Sequence, residues 1–210
     1  MKPIRAERDY ELWIFNSIKH YFGVLGFKYH GFSISQKLEH RIPADIFVWI
    51  ENGNHIKLLG LQIKAPYVDT RKKFHYKFDL GQLKTIMNLN KKLGSPWIYY
   101  VLPRYYEPIF DNMAIVHSSI APPDILYRNS RKHATGKKEV TLSLEDIRQL
   151  ISWGRLIRNI LRCKTGLEIT REKIEEVIKI VPYETVLLFM NFTTERIALG
   201  KIITVEKSPT

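Results

Sequence analysis

The sequence predicts an α/β protein, and three observations carry that expectation. Segments with apolar residues at helical spacing alternate with short runs of β-branched and aromatic residues. Two such runs are separated by Asn52-Gly53, a pair that favours a tight hairpin turn. The chain has 210 residues, 45% hydrophobic and 26% charged, a balance that suits a globule able to bury its core without disulfides.

The elements follow in order. Tyr10, Ile14, Ile18 and Phe22 recur at helical spacing between Arg5 and Phe22, and Gly23 and Gly26 close this first helix. Phe27 to Gln36 alternates Tyr, Phe and Ile with polar residues and is expected as a strand. Pro43 leads into Asp45 to Ile50, and the turn Glu51 to Asn54 leads on to His55 to Ala65, giving two adjacent antiparallel strands. Pro66 ends the third strand, and Arg71 to Lys77 reads as a basic, aromatic loop. Asp79 caps a second helix that turns Leu83, Ile86, Met87 and Leu93 inward and ends near Gly94. The proline-bounded run Pro96 to Leu102 is a buried strand, so the order is α-β-β-β-α-β.

Beyond Pro103 the pattern predicts a strand within Ile109 to Ile120 and an exposed loop from Arg128 to Lys138. Ser143 and Asp146 resemble a capping box that opens a helix running to about Cys163. Thr170 caps a further helix through Val181, and Glu184 to Val205 holds one or two strands, with Val186 to Phe189 fitting a strand or a buried helical turn. Residues 1–103 form the core, and 104–210 an extension packed on it within one compact domain.

Thirty-three Lys and Arg against 21 Asp and Glu leave a formal charge of +12, so a polyanion is the first partner to consider, nucleic acid ahead of an acidic protein or a membrane surface. The single cysteine, Cys163, allows neither an internal disulfide nor a thiol pair for zinc; it reads as a small filler near a helix end and implies a reducing, cytoplasmic setting, that of the host if the chain is viral. No apolar run approaches membrane-spanning length, and Met1 to Tyr10 is charged where a signal peptide is apolar, so no membrane association is expected. The seven histidines lack zinc-like spacing, and no phosphate-binding glycine loop points to a nucleotide-driven motor. The tryptophans at 13, 49, 97 and 153 sit in apolar runs, as core residues do.

The stretch richest in chemistry is Pro43-Ala44-Asp45 at the start of one strand with Gln62-Ile63-Lys64 near the end of its hairpin partner. Side chains alternate faces along a strand, so Gln62 and Lys64 point the same way, and Asp45 meets them when the register is right. A carboxylate, an amide oxygen and an ammonium in one site are what metal-assisted phosphodiester hydrolysis uses. Asp45 would hold a hard divalent cation, Gln62 and the Ile63 carbonyl would supply further oxygens, and Lys64 would act on the attacking water and the charge building on the phosphate.

Pro-Ala-Asp, a hairpin and Gln-Ile-Lys after a glutamate-bearing helix resemble the PD-(D/E)xK nuclease superfamily over roughly Arg5 to Leu102. Within it the chain resembles archaeal Holliday-junction resolvases and Mrr-type endonucleases, and in size and in its richness in Ile, Lys and Tyr it also resembles small nucleases of archaeal spindle-shaped viruses. The resemblance implies a restriction-endonuclease-like mixed central sheet flanked by helices. It also implies a Mg²⁺- or Mn²⁺-dependent DNA endonuclease, selective for structures such as junctions or branched DNA, and a homodimer. Gln62 stands where most members carry Asp or Glu, a variant also seen among Mrr-like members; it keeps open the alternative of a non-catalytic DNA-binding protein on the same fold. The helix-one glutamate of the family corresponds to Glu11, which heads the stripe Ile14, Phe15, Ile18 and Phe22, or to Glu7 one turn earlier on that stripe. Gln82 lies where relatives place a polar residue near the cleft.

Two basic groups are candidate nucleic-acid contacts. Arg155, Arg158 and Arg162 fall on one face of the expected helix, with Arg148 further back. Arg71, Lys72 and Lys73 sit among aromatic residues able to stack on bases.

Overall fold

The computed structural model describes residues 5–26, 29–33, 43–52, 55–107, 110–133, 137–169 and 190–191. Helix α1 spans Glu7–Leu25 and buries Tyr10, Ile14, Ile18 and Phe22 on one stripe. Each such side chain taken out of water is worth about 1.5–3 kcal/mol, so the stripe fixes the helix on its sheet. Gly26 ends it at φ 68°, its N–H returning to the carbonyls of Gly23 and Phe22; a side chain would be strained in that conformation.

Strands β1 (Tyr29–Ser33), β2 (Ile46–Asn52) and β3 (His55–Ile63) form the expected antiparallel meander. Two strands then intervene where the sequence predicts loop, β4 (Tyr67–Val68) and β5 (Phe74–Asp79), before α2 (Leu80–Lys92) and β6 (Ile98–Pro103). The rest is α3 (Phe110–Met113), β7 (Ser118–Ala121), α4 (Pro123–Arg131), β8 (Glu139–Ser143), β9 (Ile151–Ser152), α5 (Trp153–Leu161), β10 (Leu167–Ile169) and β11 (Met190–Asn191).

The central sheet is mixed and flanked by helices, in the order β11-β1-β2-β3-β6-β7-β9. Strand β6 runs parallel to β3 along Gly60 to Ile63, while β10 covers the earlier part of the same edge, Ile56 to Leu58. Side-chain alternation makes two cores. Ile46, Val48, Ile50, Leu59, Leu61, Ile63 and Val101 face α1 and α5. Phe47, Leu58, Ile98, Tyr100 and Leu102 face α2, α4 and the small sheet β4-β5-β8. Because β3 and β6 are parallel, their C-terminal ends, at Ile63 and Pro103, open at the same edge. The site lies there.

Several expectations are corrected. Arg71 to Lys77 is a loop only as far as Lys73. Asp69 accepts N–H bonds from Arg71 and Lys73 to make a tight turn, and Tyr76 and Phe78, alternating with exposed residues, bury β5 against the second core. Arg128 to Lys138 is not all loop: Pro123 starts α4, which buries Ile125, Leu126 and Ser130 and carries Arg128 and Arg131 in its last turn. Within Ile109 to Ile120 a short helix precedes the strand.

The reciprocal bonds of the Ser143–Asp146 box do form, Asp146 N–H to Ser143 Oγ at 3.2 Å and Ser143 N–H to Asp146 Oδ2 at 3.1 Å. They close a turn and open no helix: Gln149 takes φ 63°, and Ile151–Ser152 pairs with β7 before Ser152 caps α5. Arg148 therefore lies off the helix, and Arg162 follows its last residue. Cys163 is exposed with φ 54°, so it fills no core space. Trp97 and Trp153 are buried as expected and Trp13 packs at the core edge. The predicted helix from Thr170 to Val181, and the tail strands apart from residues 190–191, lie outside the described residues. Among those described, no helix is long and apolar enough to cross a membrane.

Candidate active site

Asp45 immediately precedes β2 and is already in register: its N–H donates to the Leu61 carbonyl at 2.8 Å. One step beyond the Ile46–Leu61 pair, Asp45 stands opposite Gln62 on the same face of the hairpin. Gln62 Nε2 donates to both carboxylate oxygens at 2.9 Å, and Ile63 N–H donates to Oδ2 at 2.5 Å. Asp45 is 5% exposed and Gln62 fully buried, so these are charge-assisted bonds in a screened environment.

Lys64 continues the ladder through its N–H to the Val101 carbonyl. Its ammonium is 3.3 Å from Glu7 Oε1, in the first turn of α1. Glu11, one turn on, makes a 3.4 Å contact with Arg8. Of the two helix-one glutamates, the one meeting Lys64 is Glu7. Glu7, Lys64, Tyr67, Lys77, Asp79 and Glu139 line a cleft of about 240 Å³ at this edge.

Asp79 caps α2 as expected, its Oδ1 accepting the Gln82 N–H at 2.7 Å. That places the Gln82 side chain over the hairpin: Gln82 Nε2 donates to Gln62 Oε1 at 3.4 Å, and the Tyr100 hydroxyl donates to Gln82 Oε1 at 3.3 Å. The chain has one consistent polarity. With hydrogen bonds from two nitrogens on its oxygens, Asp45 acts only as an acceptor, so Gln62 must show it nitrogen; Gln62 then shows oxygen to Gln82, and Gln82 shows oxygen to Tyr100. Burial pushes the Tyr100 hydroxyl well above the usual range, and the negative charges of Asp45, Asp79 and Glu7 push it further, so it stays a donor.

Tyr100 is the residue sequence reasoning missed. It sits beside Gln62 in the parallel β3–β6 register, and nothing in its own strand marks it, since the neighbouring Tyr99 carries the same hydroxyl.

The candidate basic contacts do not converge here. Arg71, Lys72 and Lys73 lie at the start of β5, a strand of six residues whose other end reaches the cleft. Lys73 is paired with Glu145 at 2.5 Å. Arg155 and Arg158 are exposed on α5, whose Ile160 packs near Gly166 beside Lys57 and Leu58, toward the opposite end of β3.

The donor set can be tested against a divalent cation. Among the described residues no three His, Cys, Asp or Glu side chains converge. Mg²⁺ keeps several waters and commonly takes one or two carboxylates, so Asp45 with Glu7 suits it better than a site that must replace the whole hydration shell. Gln62 fits once its amide turns to present oxygen, which reverses Gln82 as well; Tyr100 can accommodate this because a hydroxyl both donates and accepts.

No protein-family model and no curated protein matches the chain. Among solved structures it is similar to a nuclease from a fusselovirus, at 14% identity over 73% of this chain and 87% of that one, with a TM-score of 0.42. The functional reading therefore rests on the residues of the site.

Proposed function

We propose that the chain is a metal-dependent DNA endonuclease that hydrolyses phosphodiester bonds at the Asp45 end of β3, using Mg²⁺ or Mn²⁺. The observation that carries this reading is the buried Asp45 carboxylate, fixed by Gln62 and Ile63, with Lys64 following Ile63 in the chain and paired with Glu7. Asp45 and Glu7 would hold the ion with the Gln62 and Ile63 carbonyl oxygens, and when bound it supplies Lewis acidity at the phosphoryl oxygen and a more acidic water.

The chain's own groups do the rest. Asp45 keeps a negative charge at a fixed point with little rotational freedom. Lys64, held by Glu7, offsets charge gathering on the phosphate and orients the attacking water, in line with the leaving oxygen, so that one product keeps a 5′-phosphate. Branched duplexes or junctions cut by a homodimer, one site per copy, are the form of this activity that the likeness to junction resolvases favours. It acts inside the cell, where the exposed Cys163 thiol stays reduced.

Cleavage of linear, nicked and branched DNA with Mg²⁺ or Mn²⁺ tests this. Asp45→Ala is expected to lose at least about 100-fold in rate, the scale of removing one electrostatic catalytic group; unchanged cleavage in that variant would end the assignment. One observation favours a second reading, DNA binding without cleavage: Asp45 is already satisfied by N–H donors. A wild-type protein that binds DNA and cuts none of these substrates with either ion would establish it.

A further inference from the structure

We infer that the edge formed by the start of α2, the end of α4 and the start of β8 is the surface that carries a DNA duplex to the Asp45 site. The inference rests on the nuclease reading only for the identity of the polyanion. Lys84 in the second turn of α2, Arg131 and Lys132 at the end of α4, and Lys137 and Lys138 before β8 are all exposed, and they come from three separate segments of the chain.

Specific contacts bring them to this edge. The Lys138 carbonyl accepts the Leu80 N–H, so the approach to β8 abuts the first residue of α2. Glu139 pairs across the small sheet with Asp79, and both line the cleft with Lys64. Helix α4 packs against α2 and β8, and its first residues, Pro123 and Asp124, share a groove with Lys91 and Gly94 at the far end of α2. The positive end of the α2 dipole adds to the same field.

The charge on this edge is uncommitted. Lys73, Lys77 and Arg128 are paired with Glu145, Glu139 and Asp124. Among the described residues, Lys84, Arg131, Lys132, Lys137 and Lys138 are in no ion pair. The acids at this edge are engaged elsewhere, Glu139 with Lys77 and Asp79 as the cap of α2, and a polyanion relieves the repulsion among the remaining like charges. An anionic membrane fits less well, because the exposed large apolar residues, Leu12, Val24, Leu25, Met113 and Val116, lie on α1 and before β7 and none is on this edge.

The test compares two triple variants of equal charge change, Lys132→Glu/Lys137→Glu/Lys138→Glu on the edge and Arg155→Glu/Arg158→Glu/Arg162→Glu on α5 and its C-cap. Both are checked for folding by circular dichroism. Fluorescence anisotropy with a labelled DNA duplex in EDTA, across a salt series, reads affinity apart from cleavage. The edge variant is expected to bind at least roughly 30-fold more weakly, with a log–log salt slope shallower by about 2 to 3, while the α5 variant stays within about threefold of wild type.

Equal losses in both variants, an unaffected edge variant, or a wild-type protein that binds anionic vesicles through this edge but not DNA would each overturn the inference. Should the wild type bind through the edge yet never cut DNA with Mg²⁺ or Mn²⁺, the nuclease reading falls and this inference stands. Should it cut while the edge variant binds and cuts as well as wild type, the inference alone falls.

Discussion

Replacing Gln62 with Glu probes the site through the one position where a neutral group faces a buried carboxylate. The Gln62 nitrogen lies 2.9 Å from both Asp45 oxygens, so the substitution sets carboxylate against carboxylate at that range. Were both ionised, repulsion at an effective dielectric of about 20 would be roughly 4–6 kcal/mol. The introduced carboxyl takes up a proton instead and then donates to Asp45. Holding a group of ordinary pKa near 4.3 protonated at pH 7 costs about 3–4 kcal/mol. The folded-state pKa is raised above the unfolded value, so the penalty is absent below about pH 4.3 and grows by roughly 1.4 kcal/mol per pH unit until the folded pKa is passed.

Urea denaturation of wild type and Gln62→Glu from pH 4 to 8, in EDTA and in millimolar Mg²⁺, measures this. The variant should match wild type near pH 4, lose about 3–4 kcal/mol at pH 7 in EDTA, and recover more stability on adding Mg²⁺ than wild type does. Equal stability at pH 7 in EDTA would refute the buried Asp45–Gln62 contact. A pH-dependent loss with no extra recovery in Mg²⁺ would refute the cation site while leaving the contact in place.

Three further outcomes follow from the same structure. Gly60→Ala should cost about 1–3 kcal/mol in urea denaturation, since its new carbon would meet Ile98 Cγ1 at 3.0 Å and Phe47 Cε1 at 3.2 Å in the strand that carries Gln62. Tyr100→Phe should lose about 1 kcal/mol of stability and slow cleavage by several-fold with little change in DNA affinity; a wild-type rate would remove Tyr100 from the site. Burial raises the Tyr10 hydroxyl to about 12 and pushes Tyr76, Tyr100 and Tyr105 upward too. Their native pKa values exceed the unfolded ones, so stability is full below about pH 10 and falls as pH rises through that window. Absorbance at alkaline pH should show these phenols ionising together with unfolding, and ionisation in a folded chain would contradict their burial.

What was legible in the sequence was local. The α1 stripe, the Asn-Gly hairpin, the Asp79 cap and the proline-bounded strand each rest on residues a few positions apart, and the hairpin register alone places Asp45 opposite Gln62. What was not legible depended on distant partners. Phe74, Tyr76 and Phe78 alternate as a strand does, but lysines and arginines around them read as loop, and β5 forms because β8, far along the chain, pairs with it. The Ser143–Asp146 bonds serve a helix start or a turn equally well, and the pairing of β9 with β7 decides for the turn. Glu7 and Glu11 share one stripe, and only the packed structure shows that Glu7 lies 3.3 Å from the Lys64 ammonium. Tyr100 enters through a parallel pairing with no local mark. Basic residues were countable from the start, but only the packing of α2, α4 and β8 separates those beside the cleft from those on α5.

The most direct test of an Asp45-centred metal site is Mn²⁺ binding, followed by calorimetry or electron paramagnetic resonance, in the wild type and in Asp45→Asn, which keeps the shape and removes the charge. The account predicts a bound Mn²⁺ in the folded wild-type protein and an affinity at least about tenfold lower in the folded variant. Equal binding in the two proteins, or none in the wild type, would contradict it.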